Sequence, residues 1–245
     1  MSAQKPPRFY VAPEETALQA GTEAKLPASA ARHAASVLRL RAGEPVILFD
    51  GRGGEFAGTI ARIDKRGVSV AVDAHDPVER ESRLGITLVQ AVLATDAMDW
   101  TVRKAVELGV ARIAPIRTQR TQGSGAERSE RRAAHWRQIA IAACEQCGRN
   151  RVPTIDALRE LPEALALHDD APRLLLSPEA SVPLARWLAR TVPKALIIGP
   201  EGGFTADERE LVLRAGVDEA HLGVRILRAE TAAIAALAVT EAIGG

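Results

Sequence analysis

The chain has 245 residues, of which 47% are hydrophobic and 26% are charged, and its formal net charge at pH 7 is +1. This composition is typical of a folded globular protein and excludes an intrinsically disordered chain. No apolar run approaches the roughly 18 residues of a membrane span. The segment Met1–Pro7 lacks the hydrophobic core of a signal peptide, so we expect a cytoplasmic protein without a membrane partner.

The first 75 residues predict a small module rich in β-strands, because short apolar segments are separated by glycine turns. Such a pattern is typical of a small barrel. Ten Lys and Arg residues stand against eight Asp and Glu residues here, which leaves open whether the module binds RNA or only adds stability. We expect strands at Arg8–Val11, Pro45–Phe49, Glu55–Ile63 and Val68–Val72, and a helix at Ser29–Leu40.

The segment His75–Arg83 is polar, charged and interrupted by Pro77, which is typical of a linker between domains. Beyond it, strand and helix patterns alternate, which predicts an α/β domain with a parallel sheet. The expected strands are 86–93, 113–116, 174–176 and 195–198, and the expected helices are 96–108, 129–147, 182–190 and 229–243, with a shorter strand and helix between 154 and 167.

The run Ala195–Ile198 is continuously apolar, which predicts a strand buried on both faces. It leads into a glycine-rich turn, and Thr205 with Glu208 then has the spacing of a helix capping box. Ligands of open α/β sheets bind beyond the carboxyl ends of the strands, so this turn is a candidate binding loop. Its spacing matches neither of the common nucleotide-binding glycine motifs, and a tight turn without a ligand is the alternative.

Basic residues concentrate between Arg112 and Arg151, where nine Arg residues stand against three Glu residues. Because the whole chain is nearly neutral, this cluster is the candidate for RNA phosphates, and a solvated helix face is the alternative. Cys144 and Cys147 form a lone C-x-x-C inside a helical pattern. A zinc site needs four ligands, and no second pair completes one, so we expect no metal.

Four motifs occur in order along the chain: ELGV-x-x-I-x-P, EQCGRNRVP, IGPEGGF and LG-x-RILRAETA. Together they resemble the SPOUT methyltransferases, whose C-terminal region ties a trefoil knot around S-adenosylmethionine. More narrowly, they resemble the bacterial 16S ribosomal RNA uracil-N3 methyltransferase family. The resemblance covers nearly the whole chain. It implies an α/β fold with three parts: a PUA-like RNA-binding β-barrel at 1–74, a linker at 75–83, and a SPOUT domain at 84–245 with a mostly parallel sheet and a C-terminal knot.

The resemblance also implies S-adenosylmethionine as cofactor, 16S rRNA of the small ribosomal subunit as partner, and a homodimer through the knot domain. RNA contacts are expected at Arg8, Arg149, Asn150 and Arg151. The implied cofactor-binding residues are Leu176, Ser177, Gly199, Pro200, Glu201, Gly202, Gly203, Leu222, Gly223, Ile226, Leu227, Arg228 and Thr231.

The catalytic residues expected on the substrate side are Arg228, Glu230 and Glu201. Methyl transfer from a sulfonium mainly requires the nucleophile and the methyl carbon to be collinear, with no metal or covalent intermediate. The uracil N3 carries a weakly acidic proton, so Arg228 is expected to support the imide anion and Glu230 or Glu201 to handle the proton. The alternative is that both carboxylates are helix N-terminal charges or pair with Arg228.

Two other functions remain open from the sequence. The chain could be a different SPOUT enzyme, one that methylates a ribose 2′-oxygen or a tRNA base. It could also be a non-catalytic protein that binds RNA during ribosome assembly. The segment Ala94–Trp100 also lacks the lysines that many relatives carry near the start of this helix. RNA binding would then depend more on Lys104 and on the arginine cluster.

Overall fold

The computed structural model describes residues 5–121, 126–167 and 171–245, with the side chains of 126–129 left aside. Two compact units are present. The first consists of the described residues up to Glu81 together with Cys144–Val152, and the second consists of Ser82–Ala143 and Pro153–Gly245. The motif EQCGRNRVP therefore supplies most of a segment that belongs to the first unit, although about 60 residues separate the two parts along the chain. No change of amino-acid composition indicates that the chain re-enters the first unit at Cys144.

The first unit is a mostly antiparallel five-stranded sheet in the order β1-β3-β4-β5-β2, in which only β1 and β3 pair in parallel. The four strands predicted from the sequence are confirmed with shifts of up to four residues at their ends, and β2 is an additional strand that was not predicted. Strand β5 continues through Asp76, so His75 and Asp76 lie in a strand. The elements are β1 (Arg8–Tyr10), β2 (Glu23–Lys25), α1 (Ala28–Arg32), a π-helical turn (His33–Val37), β3 (Pro45–Phe49), β4 (Glu55–Asp64) and β5 (Gly67–Asp76).

The helix predicted over Ser29–Leu40 needs a correction. Its helical path ends at Val37, and its second half is π-helical, with the Leu38 amide donating to the carbonyl of His33 at 2.9 Å. The alanine-rich sequence does not distinguish this wider hydrogen bonding from an α-helix. What it does provide is small residues, and Ala34 is completely buried in the core of the unit.

The second unit is an α/β domain in which every strand pairing is parallel, in the order β12-β10-β11-β6-β7-β8, with β9 also paired to β7. The predicted parallel α/β architecture is confirmed. The elements are β6 (Thr87–Ala91), α2 (Thr95–Glu107), β7 (Arg112–Arg117), α3 (Ala126–Cys147), β8 (Thr154–Ile155), β9 (Arg159–Glu160), α4 (Leu161–Ala166), β10 (Arg173–Leu176), α5 (Leu184–Leu188), β11 (Ala195–Ile198), α6 (Ala206–Arg214), β12 (Asp218–Ala220) and α7 (Ala229–Gly244).

The centre of this sheet explains its apolar sequence. All residues of β6 and β11 are buried, as expected for parallel strands covered on both faces. Since the strands are parallel, the turns that follow β10, β11 and β12 leave the sheet at the same edge. None of the helices in the described ranges combines the length and the hydrophobicity that a membrane span requires.

Candidate functional site

A cleft of about 290 Å³ opens at the carboxyl ends of β10 and β11. Its walls come from the turns after these strands, from the start of α7, and from Arg120 and Arg209. The cleft brings together nine of the residues predicted to bind the cofactor: Leu176, Ser177, Gly199, Pro200, Glu201, Gly202, Gly203, Ile226 and Leu227.

The other four predicted cofactor residues lie outside this lining. Leu222 is half-buried and Gly223 exposed in the loop after β12, while Arg228 and Thr231 are exposed at the start of α7. Among the residues that line the cleft, Arg120, Phe204 and Arg209 were not predicted. The IGPEGGF motif includes Phe204, but no pattern in the sequence indicated that Arg120, on the loop after β7, reaches this turn.

The glycine-rich turn after β11 requires glycine for two different reasons. Gly203 has a φ of 69° and open space where a Cβ would lie, so glycine is favoured there by the backbone conformation and not by a lack of space. A Cβ on Gly199 would lie 3.2 Å from the Phe204 ring, and one on Gly202 would lie 3.3 Å from the Arg120 side chain. Gly223 also has a positive φ, of 95°. These observations agree with the expectation that Gly203 or Gly223 needs a positive φ.

The predicted capping box fixes the end of this turn at the start of α6. Thr205 Oγ1 accepts from the Glu208 amide at 3.2 Å, and Glu208 Oε2 accepts from the Thr205 amide at 2.9 Å. The other oxygen of the buried Glu208 carboxylate accepts from the Gln119 amide at 2.7 Å. The loop after β7 is thus fastened to the start of α6.

Arg120 makes a second connection between the same two segments. Its Nη1 donates to the carbonyl of Gly202 at 2.6 Å and, more weakly, to that of Phe204 at 3.4 Å. Hydrogen bonds from a charged donor are stronger than those between neutral groups. By engaging these carbonyls, Arg120 fixes the conformation of the turn that lines the cleft.

The predicted catalytic residues differ in their surroundings. The Arg228 side chain is 86% exposed and its Nη1 lies 4.0 Å from Glu230 Oε1, at the limit of an ion pair. Glu201 Oε1 accepts from the Ala94 amide at 2.8 Å, next to the start of α2, which has no side-chain cap of its own. Glu201 therefore stabilises a helix start as well as lining the cleft.

The remaining charges of the cleft wall are compensated. Arg209 forms ion pairs with Glu219 at 2.6 Å and with Glu179 at 3.5 Å, and the hydrogen bond to Glu219 raises the Arg209 pKa. Apart from the charged residues and Ser177, the lining consists of glycine, proline and apolar residues, including Ile226 and Leu227. Such a wall suits an adenosine-like ligand, whose ring binds through apolar contacts and a few backbone hydrogen bonds.

Comparison with known proteins identifies the family of the chain. A family model described as the RNA methyltransferase domain matches residues 80–241, about two thirds of the chain, and one described as the RNA methyltransferase PUA domain matches residues 26–73. The chain belongs to the RNA methyltransferase family. The resemblance, the fold class and the enzymatic activity predicted from the sequence are thereby confirmed.

Individual relatives are similar along nearly their whole length. The ribosomal RNA small subunit methyltransferase E of Buchnera aphidicola subsp. Schizaphis graminum is 29% identical, with 94% of each chain covered. The crystal structure of the Neisseria gonorrhoeae ribosomal RNA small subunit methyltransferase E, bound to S-adenosylmethionine, is 36% identical with a TM-score of 0.86, covering 97% of this chain and 98% of that one. A Legionella pneumophila methyltransferase solved with bound S-adenosylmethionine is also 36% identical, with a TM-score of 0.89 and 98% of each chain covered.

The residues predicted to bind RNA are found in a network of ion pairs inside the first unit of the methyltransferase. Arg8 pairs with Glu55 and bonds to the Asn150 side chain, and Arg149 pairs with Glu81. Arg149 is 5% exposed and Asn150 is fully buried, so these side chains hold the segment 144–152 in place. Arg151 is more accessible, with a side chain 54% exposed, and it pairs with Glu79.

Burial and ion pairing shift several pKa values in this network. Burial raises the pKa of Glu55, but hydrogen bonds from Arg80 and Arg8, together with their charges, outweigh it and hold the pKa at about 2. Burial raises the pKa of Glu145 in spite of a hydrogen bond from the Tyr10 amide. Burial also raises the pKa of Cys144 to about 12, so this thiol is unreactive near neutral pH. The described residues contain no group of side chains that is able to hold a metal ion.

Proposed function

We propose that this enzyme transfers the methyl group of S-adenosylmethionine to N3 of a specific uridine in 16S ribosomal RNA. The observation that carries the proposal is the cleft at the ends of β10 and β11, which is formed by the two motifs that resemble the uracil-N3 family. The relatives named ribosomal RNA small subunit methyltransferase E support small-subunit rRNA as the substrate. Such a substrate also supports the cytoplasm, where ribosomal subunits are assembled, as the place of the reaction.

S-adenosylmethionine, which supplies an electrophilic methyl group, is the cofactor. The residues around the cleft fit it, because apolar and glycine residues suit an adenosine and because the positive φ of Gly203 favours glycine, which adds no side chain to the turn. We assign binding to the nine predicted residues that line the cleft. Leu222, Gly223 and Thr231 lie in the flanking loop and helix, outside this lining.

Arg228 and Glu230 are the groups that we assign to the substrate. Arg228 directly follows Leu227 of the cleft wall, and its exposed guanidinium is available to stabilise negative charge on the uracil imide. To Glu230, whose side chain is 18% exposed and lies 4.0 Å from the Arg228 guanidinium, we assign acceptance of the N3 proton. Because Glu201 is already engaged with the Ala94 amide, we assign it to the turn and not to proton transfer. The target base must be unpaired, since N3 lies on its Watson–Crick edge.

The test is transfer of labelled methyl to rRNA from a strain that lacks the gene, followed by nucleoside analysis. We expect 3-methyluridine in 16S rRNA and a stop of primer extension at that position. A labelled 2′-O-methyl nucleoside or a labelled tRNA base would contradict the proposal in favour of another SPOUT activity. Titration calorimetry with S-adenosylmethionine addresses the remaining alternative, because a non-catalytic assembly protein has no reason to bind it.

We also propose that the enzyme is a homodimer through its second unit. Helix α7 is apolar on more than one face, and Ile243 at its end is 52% exposed. In the preceding loop, Val224 is 95% exposed and Ile226 is 87% exposed. A second copy of the chain would remove these apolar side chains from water.

A further inference from the structure

Gln90 is a completely buried polar residue in the centre of the second unit. It lies near the carboxyl end of β6, opposite Ile198 of β11, which lines the cleft. Its Nε2 donates to the carbonyl of Ala91 at 2.9 Å, and its Oε1 has no hydrogen-bond partner among the described residues. A buried acceptor without a partner destabilises a fold. Packing of the core therefore gives no reason for an amide side chain at this position.

The strand register shows why the Ala91 carbonyl needs a side-chain donor. Strands β6 and β11 pair in parallel, and the Thr87 amide donates to the Lys194 carbonyl at 2.8 Å. Hydrogen bonds between parallel strands are evenly spaced and recur at every second residue. Followed to the end of β6, this pattern pairs the Ala91 carbonyl with the backbone nitrogen of residue 200. That residue is Pro200, which has no N–H to donate.

Neither water nor the neighbouring strand β7 replaces the missing donor. Ala91 is completely buried, so its carbonyl must be paired within the protein. On the side of β7 the ladder uses the alternate residues, since the Val92 amide donates to the Ile116 carbonyl at 3.0 Å. The side chain of Gln90 thus takes the place of a main-chain hydrogen bond that Pro200 makes impossible.

The end of this ladder is also where the chain leaves the sheet to form the cleft. Pro200 lines the cleft, and its carbonyl accepts from the Gly203 amide at 2.9 Å, which closes the turn. Glu201, also in the lining, accepts from the Ala94 amide at 2.8 Å. The segment 91–94 therefore carries the carbonyl that Gln90 pairs and, at its other end, the amide that holds the turn.

We propose that Gln90 is a positioning residue of the cofactor cleft. By pairing with the Ala91 carbonyl, it lets β11 end at a proline without an orphaned buried acceptor, and it keeps the segment 91–94 in place. Without this donor the segment opens to hydrate the carbonyl, and Glu201 moves with Ala94. Gln90 itself lies outside the lining, so its effect on the cofactor is indirect. The inference rests on the proposed function only in taking S-adenosylmethionine as the cofactor, and not on which base is methylated.

A double-mutant cycle of Gln90→Met and Pro200→Ala tests this role. Methionine is similar in length and flexible, and it removes both the donor and the unpartnered oxygen, so we expect the variant to fold. We expect Gln90→Met to weaken S-adenosylmethionine binding on the order of tenfold in titration calorimetry. Alanine at 200 supplies the missing N–H. In the Pro200→Ala background, Gln90→Met should therefore change the affinity by less than about twofold.

The matched control is Thr240→Val, which removes another buried side-chain donor of the same unit. Thr240 Oγ1 donates to the Ala236 carbonyl at 2.7 Å. That carbonyl lies within α7, where a helix amide also meets it, so its pairing does not depend on the side chain. We expect Thr240→Val to leave the cofactor affinity unchanged in both backgrounds.

Equal losses of affinity from Gln90→Met in the two backgrounds would overturn the inference, and so would an unchanged affinity in Gln90→Met alone. A comparable loss in Thr240→Val would overturn it too, since the removal of any buried donor would then have the same effect. If Gln90→Met is too unstable to titrate, urea midpoints replace the affinities: a midpoint recovered by Pro200→Ala supports the replaced hydrogen bond, and additive midpoints refute it. Failure of the unchanged enzyme to form 3-methyluridine, with this coupling intact, would contradict the proposed function alone.

Discussion

Arg120 shows how one exposed side chain determines the shape of a binding site. It donates to the Gly202 and Phe204 carbonyls, and a hydrogen bond from a charged donor contributes about 1.5–3 kcal/mol. We predict that Arg120→Ala weakens S-adenosylmethionine binding about tenfold, which corresponds to about 1.4 kcal/mol. Titration calorimetry measures this. The control is Gln119→Ala, because Gln119 bonds to Glu208 through its backbone amide, which the substitution keeps. Equal affinities in both variants would exclude Arg120 from this role.

Arg149 was predicted to bind RNA, and its surroundings predict a different effect of its removal. Loss of the Arg149 side chain leaves the Glu81 carboxylate without its partner in a largely buried position, which typically costs about 3–5 kcal/mol. The exposed pair of Arg151 and Glu79 contributes only about 0–1 kcal/mol. We predict that Arg149→Ala lowers the free energy of unfolding far more than Arg151→Ala, as measured by urea denaturation. If Arg151 contacts an RNA phosphate, Arg151→Ala should instead reduce the slope of log K for RNA binding against log salt concentration.

Glu55 makes the first unit sensitive to acid. Its pKa of about 2 lies below the ordinary value, so its ionised form stabilises the fold. This contribution, on the order of 3 kcal/mol, is present above the ordinary pKa and is lost as the pH falls toward the folded value. Glu145 acts in the opposite direction because its pKa is raised. We therefore predict that the difference in unfolding free energy between the unchanged enzyme and Glu55→Gln shrinks between pH 5 and pH 2. A constant difference would contradict the assignment.

At the scale of elements, the sequence predicts those features that depend on a few neighbouring residues. The apolar run of β11 and the capping box of Thr205 and Glu208 were both predicted, because burial on two faces and cap spacing are visible in a few residues. The π-helical turn was not, because alanines allow either helix. The approach of Arg120 to the glycine turn was also not predictable, since it depends on how two distant loops meet.

Gly203 offers a direct test of the glycine turn. Valine at its φ of 69° costs about 1–3 kcal/mol and places a side chain in the cleft, so we predict a folded variant that does not bind S-adenosylmethionine. Gly216→Val is the matched control. Gly216 has a φ of 77° and the same open space around a Cβ, but it lies just past the end of α6 and outside the cleft lining. Similar thermal midpoints with cofactor binding lost only at 203 would support the assignment, and retained binding would refute it.

At the scale of the whole molecule, the prediction concerns assembly. If α7 lies in a dimer interface, Ile243→Arg places a charge at its apolar end and should shift the enzyme toward a monomer in sedimentation velocity experiments at micromolar concentration. Leu211→Arg is the control, since Leu211 is a 39% exposed apolar residue on α6. A monomer in the unchanged enzyme would contradict the proposed homodimer.

The return of Cys144–Val152 to the first unit has a consequence for how the protein is made. During translation the strands β1 to β5 leave the ribosome first, but Arg8 then lacks Asn150 and Glu81 lacks Arg149. Domains fold as units during synthesis, and buried charges without partners are costly. We expect the nascent first unit to stay open to proteases until residue 152 has emerged. An expressed fragment that ends at Glu81 should behave as an incomplete domain, and a shortened gene product of that kind should be degraded in the cell.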